Sequence, residues 1–462
     1  MEPLKLAEVV QAAKSRVIRG VDECFTGVTI DSRKVRPGDL FVAIEGKRLD
    51  GHRFVREALA AGAAGVVISD ERVAPEQGAV LLVTDTRRAL LDIAGFYRSR
   101  YNIRTAAVTG SNGKTTTKEM LGAMLSTRWQ TVVPEGSYNN DIGVPLTLLR
   151  LNAEIEAAVF ELEMNEPGGT LRLAKACRPQ LGIITNIGDT HLEWMGDRHG
   201  VAAEKAELLQ ALPSDGVAVL NTDDDMVMEL GRKCWRGEIV TFGFGTADFQ
   251  AVAVKDLGFK GMSFQLASGE VVSLPVPGRH NVANCLAALA AAQRMGVELT
   301  AAIEAVRDFK LPPMRLRVVR LNRVVLIDDS YNANPQSVQA ALGVLRDNAE
   351  PGSRVALLGA MLELGHRSRE LHESVGRQAA EIVDRLITVG HEALAIGNAA
   401  CDAGMSRTRV IHCESAAVAA DVVFDFLRDG DTILVKGSRA VGLEQISQRI
   451  IEHYETNTSK VH

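Results

Sequence analysis

Residues 108–117 read VTGSNGKTTT, and residue types at this spacing do one kind of chemistry well: they hold a polyphosphate. Gly110 and Gly113 permit the tight, partly left-handed backbone of a cradle. Lys114 offers a point charge to terminal phosphates, and the Thr115 hydroxyl suits a bound magnesium ion. Ala106, Ala107 and Val108 read as the end of an apolar strand, and residues 114–126 have helical composition, so the loop should open a helix with its N–H groups facing the anion. The expected ligand is a nucleoside triphosphate, lined by Thr109, Gly110, Ser111, Asn112, Gly113, Lys114, Thr115 and Thr116. Val108 stands where a full Walker A spacing has glycine. A Gly-rich turn opening an ordinary helix is the plainer alternative.

Other groups could serve the same chemistry. Glu161 and Glu163 lie two apart near a strand end, so extended backbone sends both side chains to one face. His191 follows another strand end, in TNIGDTHLEWMG, within reach of the same crevice. Each alone reads as solvated surface; a shared sheet edge makes them candidates. Lys205, in GVAAEKAELL, is flanked by Glu204 and Glu207 and reads by composition as a solvated helix face. Residues 326–337, LIDDSYNANPQS, put Asp328 and Asp329 at a strand end and Asn332 and Asn334 in a loop before a helix starting at Pro335. That loop suits ribose, base or substrate, and equally an Asx-rich turn and cap. Residues 434–444, LVKGSRAVGLE, repeat the arrangement with Lys436, Ser438 and Arg439, a cationic loop suited to carboxylate or phosphate.

Positioning such groups takes more than one core, and 462 residues suggest about three domains. The expected division is 1–84, a small α/β unit with a Pro-Gly turn at Pro37 and Gly38; 85–313, an alternation of strands and helices; and 314–462, a second doubly wound α/β unit. Strands are expected at 40–44, 65–69, 157–163, 181–187, 217–221, 324–328, 354–358, 385–389 and 432–435, in largely parallel sheets that bind ligands at their carboxyl ends. An antiparallel insertion is expected between 241 and 277, a linker at 311–315, and a frayed tail from 455 to 462. With 46% hydrophobic and 24% charged residues, and a formal charge of −6, the chain has a globular composition. It lacks a general nucleic-acid footprint and any apolar run long enough to span a membrane. No signal-peptide pattern opens it, so a cytoplasmic location is expected. Its six cysteines lack metal-ligand spacing and read as buried, reduced thiols without a disulfide.

Taken together, TGSNGKTT, DDSYNANP, YNNDIGVPLTLL at 138–149, MLELG at 361–365 and KGSR at 436–439 resemble the ATP-dependent Mur ligase family of bacterial cell-wall synthesis. The resemblance spans essentially the whole chain. It implies an N-terminal domain for the UDP end of a substrate, a central P-loop ATPase domain, and a C-terminal Rossmann-like domain that closes over both. It also implies ATP and Mg2+ as cofactors. The substrates implied by these loops are UDP-N-acetylmuramoyl-tripeptide and D-alanyl-D-alanine, joined through an acyl phosphate by a monomer that needs neither nucleic acid nor a membrane span.

Residue by residue, the resemblance implies that Lys114 contacts ATP phosphates and that Thr115, Glu161 and His191 help hold magnesium. Lys205 would be carbamylated into a further metal ligand, giving Lys114, Lys205, His191 and Glu161 the catalytic work. Asn281, Arg315 and Asp329 would approach ATP. Ser32, Arg33, Lys47, Asp50 and Gly51 would hold the uridine diphosphate, with Asn139, Asn140, Asn332, Asn334, Lys436, Ser438 and Arg439 on the substrate side. Glu163 stands where many relatives have glycine, Glu166 where some have histidine, and Ala206 where glycine is common. The first two make the surroundings of the metal site more negative. Another Mur-type or folylpolyglutamate-type amino acid ligase shares the phosphate loop, and a P-loop ATPase switch is a rival from a different class.

Overall fold

The computed structural model describes residues 1–46, 49–349 and 352–456, so Lys47 and residues 457–462 of the expected tail lie outside the described residues. The chain is α/β throughout, with one principal sheet in each of three units. The N-terminal sheet runs in the order Arg16–Arg19, Ala79–Leu82, Gly65–Ile68, Asp39–Val42, Gly27–Thr29. It is parallel except for its first strand.

The central sheet has nine strands in the order Val271–Leu274, Met262–Leu266, Phe249–Asp256, Glu238–Gly243, Val217–Asn221, Leu181–Ile184, Arg104–Thr109, Ala157–Glu161, Thr131–Val132. The expected antiparallel insertion is an extension of this same sheet. Phe249–Asp256 pairs parallel with Glu238–Gly243 before the last two strands turn antiparallel. Alternation explains why it remains attached. Met262, Phe264, Leu266, Val272 and Leu274 are buried in the core shared with the helix Arg279–Arg294, while Val271 and Ser273 are exposed. In that helix Cys285 through Ala292 are fully buried, and the core includes Met120, Leu121, Met124 and Leu125 of the helix Lys114–Leu125. Four alanines between residues 287 and 291 allow the close approach that anchors the phosphate loop's helix.

The C-terminal sheet has the order Arg317–Arg320, Val325–Asp328, Thr432–Lys436, Arg354–Gly359, Arg385–Val389, Val410–Cys413, with only the first strand antiparallel. Strands 157–163 and 181–187 end earlier than their apolar sequences suggest, at Glu161 and Ile184. Beyond Glu161 the Glu163 N–H turns to donate to Asn139 O at 3.0 Å, which releases the chain from the sheet and leaves its side chain at the edge.

Two apolar clusters join the units. Leu40 and Val42 pack in one core with Leu90, Ala94, Tyr97, Ala107 and Phe160, so the helix Thr86–Arg98 wedges between the first two sheets. Ile184, Ile187, Leu192 and Leu220 share another core with Leu316, Ala333, Val338, Leu342 and Leu364, so the C-terminal unit sits against the carboxyl edge of the central sheet. Among the described residues no helix is long and apolar enough to cross a membrane. All six cysteines are free; Cys177, Cys285 and Cys413 are buried, but Cys24 is exposed and Cys234 and Cys401 are intermediate, contrary to the uniform burial expected.

Candidate active site

The phosphate loop takes its shape from the strand beside it. Gly110 has φ 141° and a Cβ there would lie 2.0 Å from Thr185 Oγ1; Gly113 has φ 83° and a Cβ would lie 2.1 Å from Asn284 Oδ1. No other residue fits either place. Asn186 ties the loop down, accepting from Asn112 N–H at 2.9 Å and donating to Asn112 O at 3.0 Å. Ser111 accepts from Gly188 N–H at 2.8 Å, and Thr109 donates to Leu162 O at 3.0 Å. The helix Lys114–Leu125 begins directly after, so its N-terminus points into the cleft.

Lys114 is buried and turned back on its own loop, donating to Gly110 O at 2.7 Å and pairing with Glu163 Oε1 at 2.6 Å. The same Glu163 oxygen meets His191 Nε2 at 3.2 Å, and His191 Nδ1 meets Glu363 Oε2 at 2.6 Å. A chain of alternating charge thus runs from the phosphate loop to the C-terminal unit. His191 and Glu363 both adopt left-handed backbone, φ 54° and 63°, at about 1–2 kcal/mol each for a non-glycine residue. Burial works against the charged form of both groups, yet partners prevail. The Lys114 ammonium and the His191 hydrogen bond hold Glu163 well below the usual carboxylate range. Glu163 and Glu363 hold His191 up at about 9. As an imidazolium it has no ring lone pair for a metal, so acting as a ligand requires Nε2 to lose both its proton and Glu163.

Glu161 is 1% exposed. Its Oε1 accepts from Asn139 Nδ2 at 2.8 Å, an amide that also reaches Glu163 Oε2 at 3.0 Å. Its Oε2 is buried without a hydrogen-bond partner, which marks a place for a cation. Thr115 Oγ1 accepts from Arg315 at 2.9 Å, and the Arg315 guanidinium stacks on Tyr331 with 4.3 Å to the ring centroid. Among the described residues no three His, Cys, Asp or Glu side chains gather as a ready-made metal cluster. A hydroxyl and a lone carboxylate are the sparse oxygen set that magnesium accepts when phosphates supply the rest.

From the C-terminal unit, Lys436 donates to Asp329 Oδ2 at 2.6 Å and to Asn332 O at 2.9 Å. Asn334 caps the helix Pro335–Asn348 through Ser337 N–H and extends its amide 2.7 Å to Asn112 Oδ1 of the phosphate loop. Cap and cleft contact therefore coincide. Ser438 accepts from Leu362 N–H at 2.9 Å, and Arg439 lies against Met314 and Tyr331. Asn281 donates to Pro277 O and accepts from Asn284. His280, beside it, is depressed to about 4 by burial. A cleft of about 930 Å³ is lined by Ser111 to Thr116, Glu161, Glu163 and His191 on one side, and by Arg315, Asp329, Asn332, Asn334, Lys436, Ser438 and Arg439 on the other.

Several expected residues do not line it. Ser32 donates to Glu57, Arg33 pairs with Asp31, and Asp50 accepts from His52 on the N-terminal sheet. Gly51 is required there, since a Cβ would lie 2.7 Å from Ile44 N. Asn140 closes a turn by accepting from Gly143 N–H at 2.9 Å. Lys205 corrects the reading from composition: it is fully buried, beside Glu204 Oε2 at 2.7 Å, without hydrogen-bond geometry at its Nζ. Sequence reasoning missed Arg87, which donates to Glu45 O at 3.4 Å and to Asp141 at 3.2 Å, linking the N-terminal loop to the 138–149 segment. It also missed Glu363, although the MLELG segment contained it.

Comparison with known proteins covers nearly the whole chain. Family profiles described as Mur ligase family, catalytic domain, as Mur ligase middle domain, and as Mur ligase, glutamate ligase domain match residues 25–98, 108–292 and 314–439. The UDP-N-acetylmuramoyl-tripeptide--D-alanyl-D-alanine ligase of Escherichia coli (strain K12) is 38% identical, over 94% of this chain and 96% of that protein. Its namesake from Bacillus subtilis (strain 168) is 35% identical, over 92% and 93%. A crystal structure of MurF from Acinetobacter baumannii superposes with a TM-score of 0.88 at 32% identity, covering 98% and 99% of the two chains. MurF ligase from Thermotoga maritima in complex with ADP gives 0.82 at 27%, covering 93% and 98%.

Proposed function

This chain belongs to the Mur ligase family, and from that premise we propose that it joins D-alanyl-D-alanine to UDP-N-acetylmuramoyl-tripeptide at the expense of ATP. The step belongs to peptidoglycan precursor synthesis. The observation that carries this reading is the single cleft in which the phosphate loop and the DDSYNANP and KGSR loops face one another.

A carboxylate does not accept an amine at neutral pH, so an oxygen of the tripeptide's terminal carboxylate attacks the γ-phosphorus of ATP. The bond from phosphorus to the bridging oxygen breaks and ADP leaves. The amine of the dipeptide then attacks the acyl carbon, the tetrahedral species expels inorganic phosphate, and the amine's surplus proton goes to water. Between these steps the protein positions and neutralises. Lys114 and the loop amides take the β- and γ-phosphates, while Arg315, next to Thr115, offsets charge where two anions meet. Asn281 and Asp329 face the nucleotide, and Lys436 and Arg439 face the carboxylate being activated. Ser32, Arg33, Lys47, Asp50 and Gly51 bind the uridine diphosphate on the N-terminal unit, which Arg87 ties to the 138–149 segment.

Thr115 and the unpartnered Glu161 Oε2 would hold Mg2+, with His191 once Glu163 has left it. The ion would supply charge neutralisation on the phosphates. Lys205 joins this set only as a carbamate. Its neighbour Glu204 stabilises an ammonium, so a carbamate puts two anions together and requires a cation beside them. The enzyme acts in the cytoplasm as a monomer. Phosphate release is the test: it should require UDP-N-acetylmuramoyl-tripeptide and D-alanyl-D-alanine together, and equal release with single amino acids in place of the dipeptide would defeat the reading.

A further inference from the structure

Glu163 is an anion standing in a phosphate cradle. Its Oε1 takes the Lys114 ammonium at 2.6 Å and His191 Nε2 at 3.2 Å, and its Oε2 accepts from Asn139 at 3.0 Å. Three donors, two of them lining the cleft, converge on one carboxylate. The neighbouring acids are placed otherwise: Glu161 meets Asn139, and Glu363 holds His191 from its far nitrogen. What remains of the Lys114 ammonium is directed at Gly110 O and Ser111 O. A buried lysine with carbonyl partners alone would be costly, so an empty cradle needs a counter-ion. A triphosphate needs the same lysine.

We propose that Glu163 is an internal stand-in for the terminal phosphates of the nucleotide, neutralising Lys114 while the cleft is empty and yielding it when ATP enters. This rests on the ATP-dependent reading above and assigns Glu163 a positioning role within it. Two consequences follow from the geometry. Because ATP must displace Glu163 from Lys114, the pair holds the wild-type affinity for ATP below what the cradle alone would give. When Glu163 withdraws, His191 keeps its hold on Glu363, so its Nε2 is turned towards the newly bound phosphates. Arrival of the triphosphate is thereby coupled to a residue of the C-terminal unit.

The test is calorimetric binding of ATP and AMP to the full chain in a metal chelator, which separates this role from metal ligation. Wild type is compared with Glu163→Gln, Glu163→Gly and Glu161→Gln, with folding checked by circular dichroism. Both Glu163 variants should bind ATP about tenfold more tightly or better, since a full charge opposing the phosphates is removed. AMP, whose one phosphate does not reach Lys114, should be unchanged. Glu161→Gln should tighten ATP clearly less. Equal tightening by Glu161→Gln would assign the effect to any lost charge and overturn the proposal, as would unchanged or weaker ATP binding in the Glu163 variants. Wild-type protein that bound no ATP with or without magnesium would instead remove the functional reading and this inference with it.

Discussion

Two lysines carry different duties in the proposed mechanism. Lys114→Ala should lower kcat by about a thousandfold or more, without chemical rescue, because a charge on the transferring phosphoryl group is lost. Lys205→Ala should lose most activity and regain part of it with added acetate, whereas a fully active variant would take Lys205 out of the mechanism. Lys114 was legible because the chemistry lies in local spacing. Lys205 was not, since EKAE looks the same on a solvated helix and on a buried one, and only the packing of its helix against the central sheet decides. His191 and His280 give a pH signature in the ligand-free protein. Burial lowers the His191 pKa but its two glutamates raise it to about 9, above the ordinary 6.5. The folded state therefore keeps a proton the unfolded chain has lost, and stability present below about 6.5 declines as pH rises through 9. His280, depressed by burial to about 4, acts oppositely, because the unfolded chain takes the proton first and stability falls as pH drops from about 6.5 towards 4. Thermal unfolding followed against pH should show both limbs, and His191→Gln should flatten the alkaline one. An alkaline limb of unaltered slope would contradict the ion-pair chain.

At the element scale, Asn334 both caps a helix and touches the phosphate loop. Asn334→Ala should cost about 1 kcal/mol of stability and raise the KM for ATP several-fold. Asn334→Ser should restore the stability by capping while leaving the KM high, because serine cannot reach Asn112. Melting curves and initial rates on the same two variants separate the roles; full recovery of KM by serine would reduce Asn334 to a cap. Strands whose apolar runs stop at a polar residue or a glycine were readable almost to the residue, as Val217–Asn221 and Arg385–Val389 are. Ends set by tertiary hydrogen bonds were not, and Glu161 is such a case, because Asn139 draws Glu163 out of the sheet. The antiparallel pairing expected between 241 and 277 forms, but its attachment to the central sheet was not legible, because sequence alternation reveals a half-buried face and not which neighbour pairs along the edge.

In the whole molecule, an acyl phosphate must be kept from water, and the C-terminal unit packs against the carboxyl edge of the central sheet. Arg367 pairs across the units with Asp189 at 3.0 Å, near Gln336, which accepts from Asp189 N–H. Arg367→Ala should loosen this seam and let water take the acyl phosphate. Phosphate released per amide bond formed should rise above the wild-type ratio, with little change in ATP affinity, and an unchanged ratio would show that the seam does not guard the intermediate. Three units and their order were legible from strand and helix alternation. Their docking was not, because Ile187, Leu192, Val338 and Leu364 meet only in three dimensions. In the mechanism proposed above, this shared cleft brings the γ-phosphorus of ATP to the tripeptide's carboxylate before the amine arrives. That order is tested most directly by labelling that carboxylate with heavy oxygen and analysing the inorganic phosphate by mass spectrometry after turnover with D-alanyl-D-alanine. Each phosphate released should carry one oxygen from that carboxylate. Phosphate whose fourth oxygen comes from solvent, alongside normal amide formation, would contradict it.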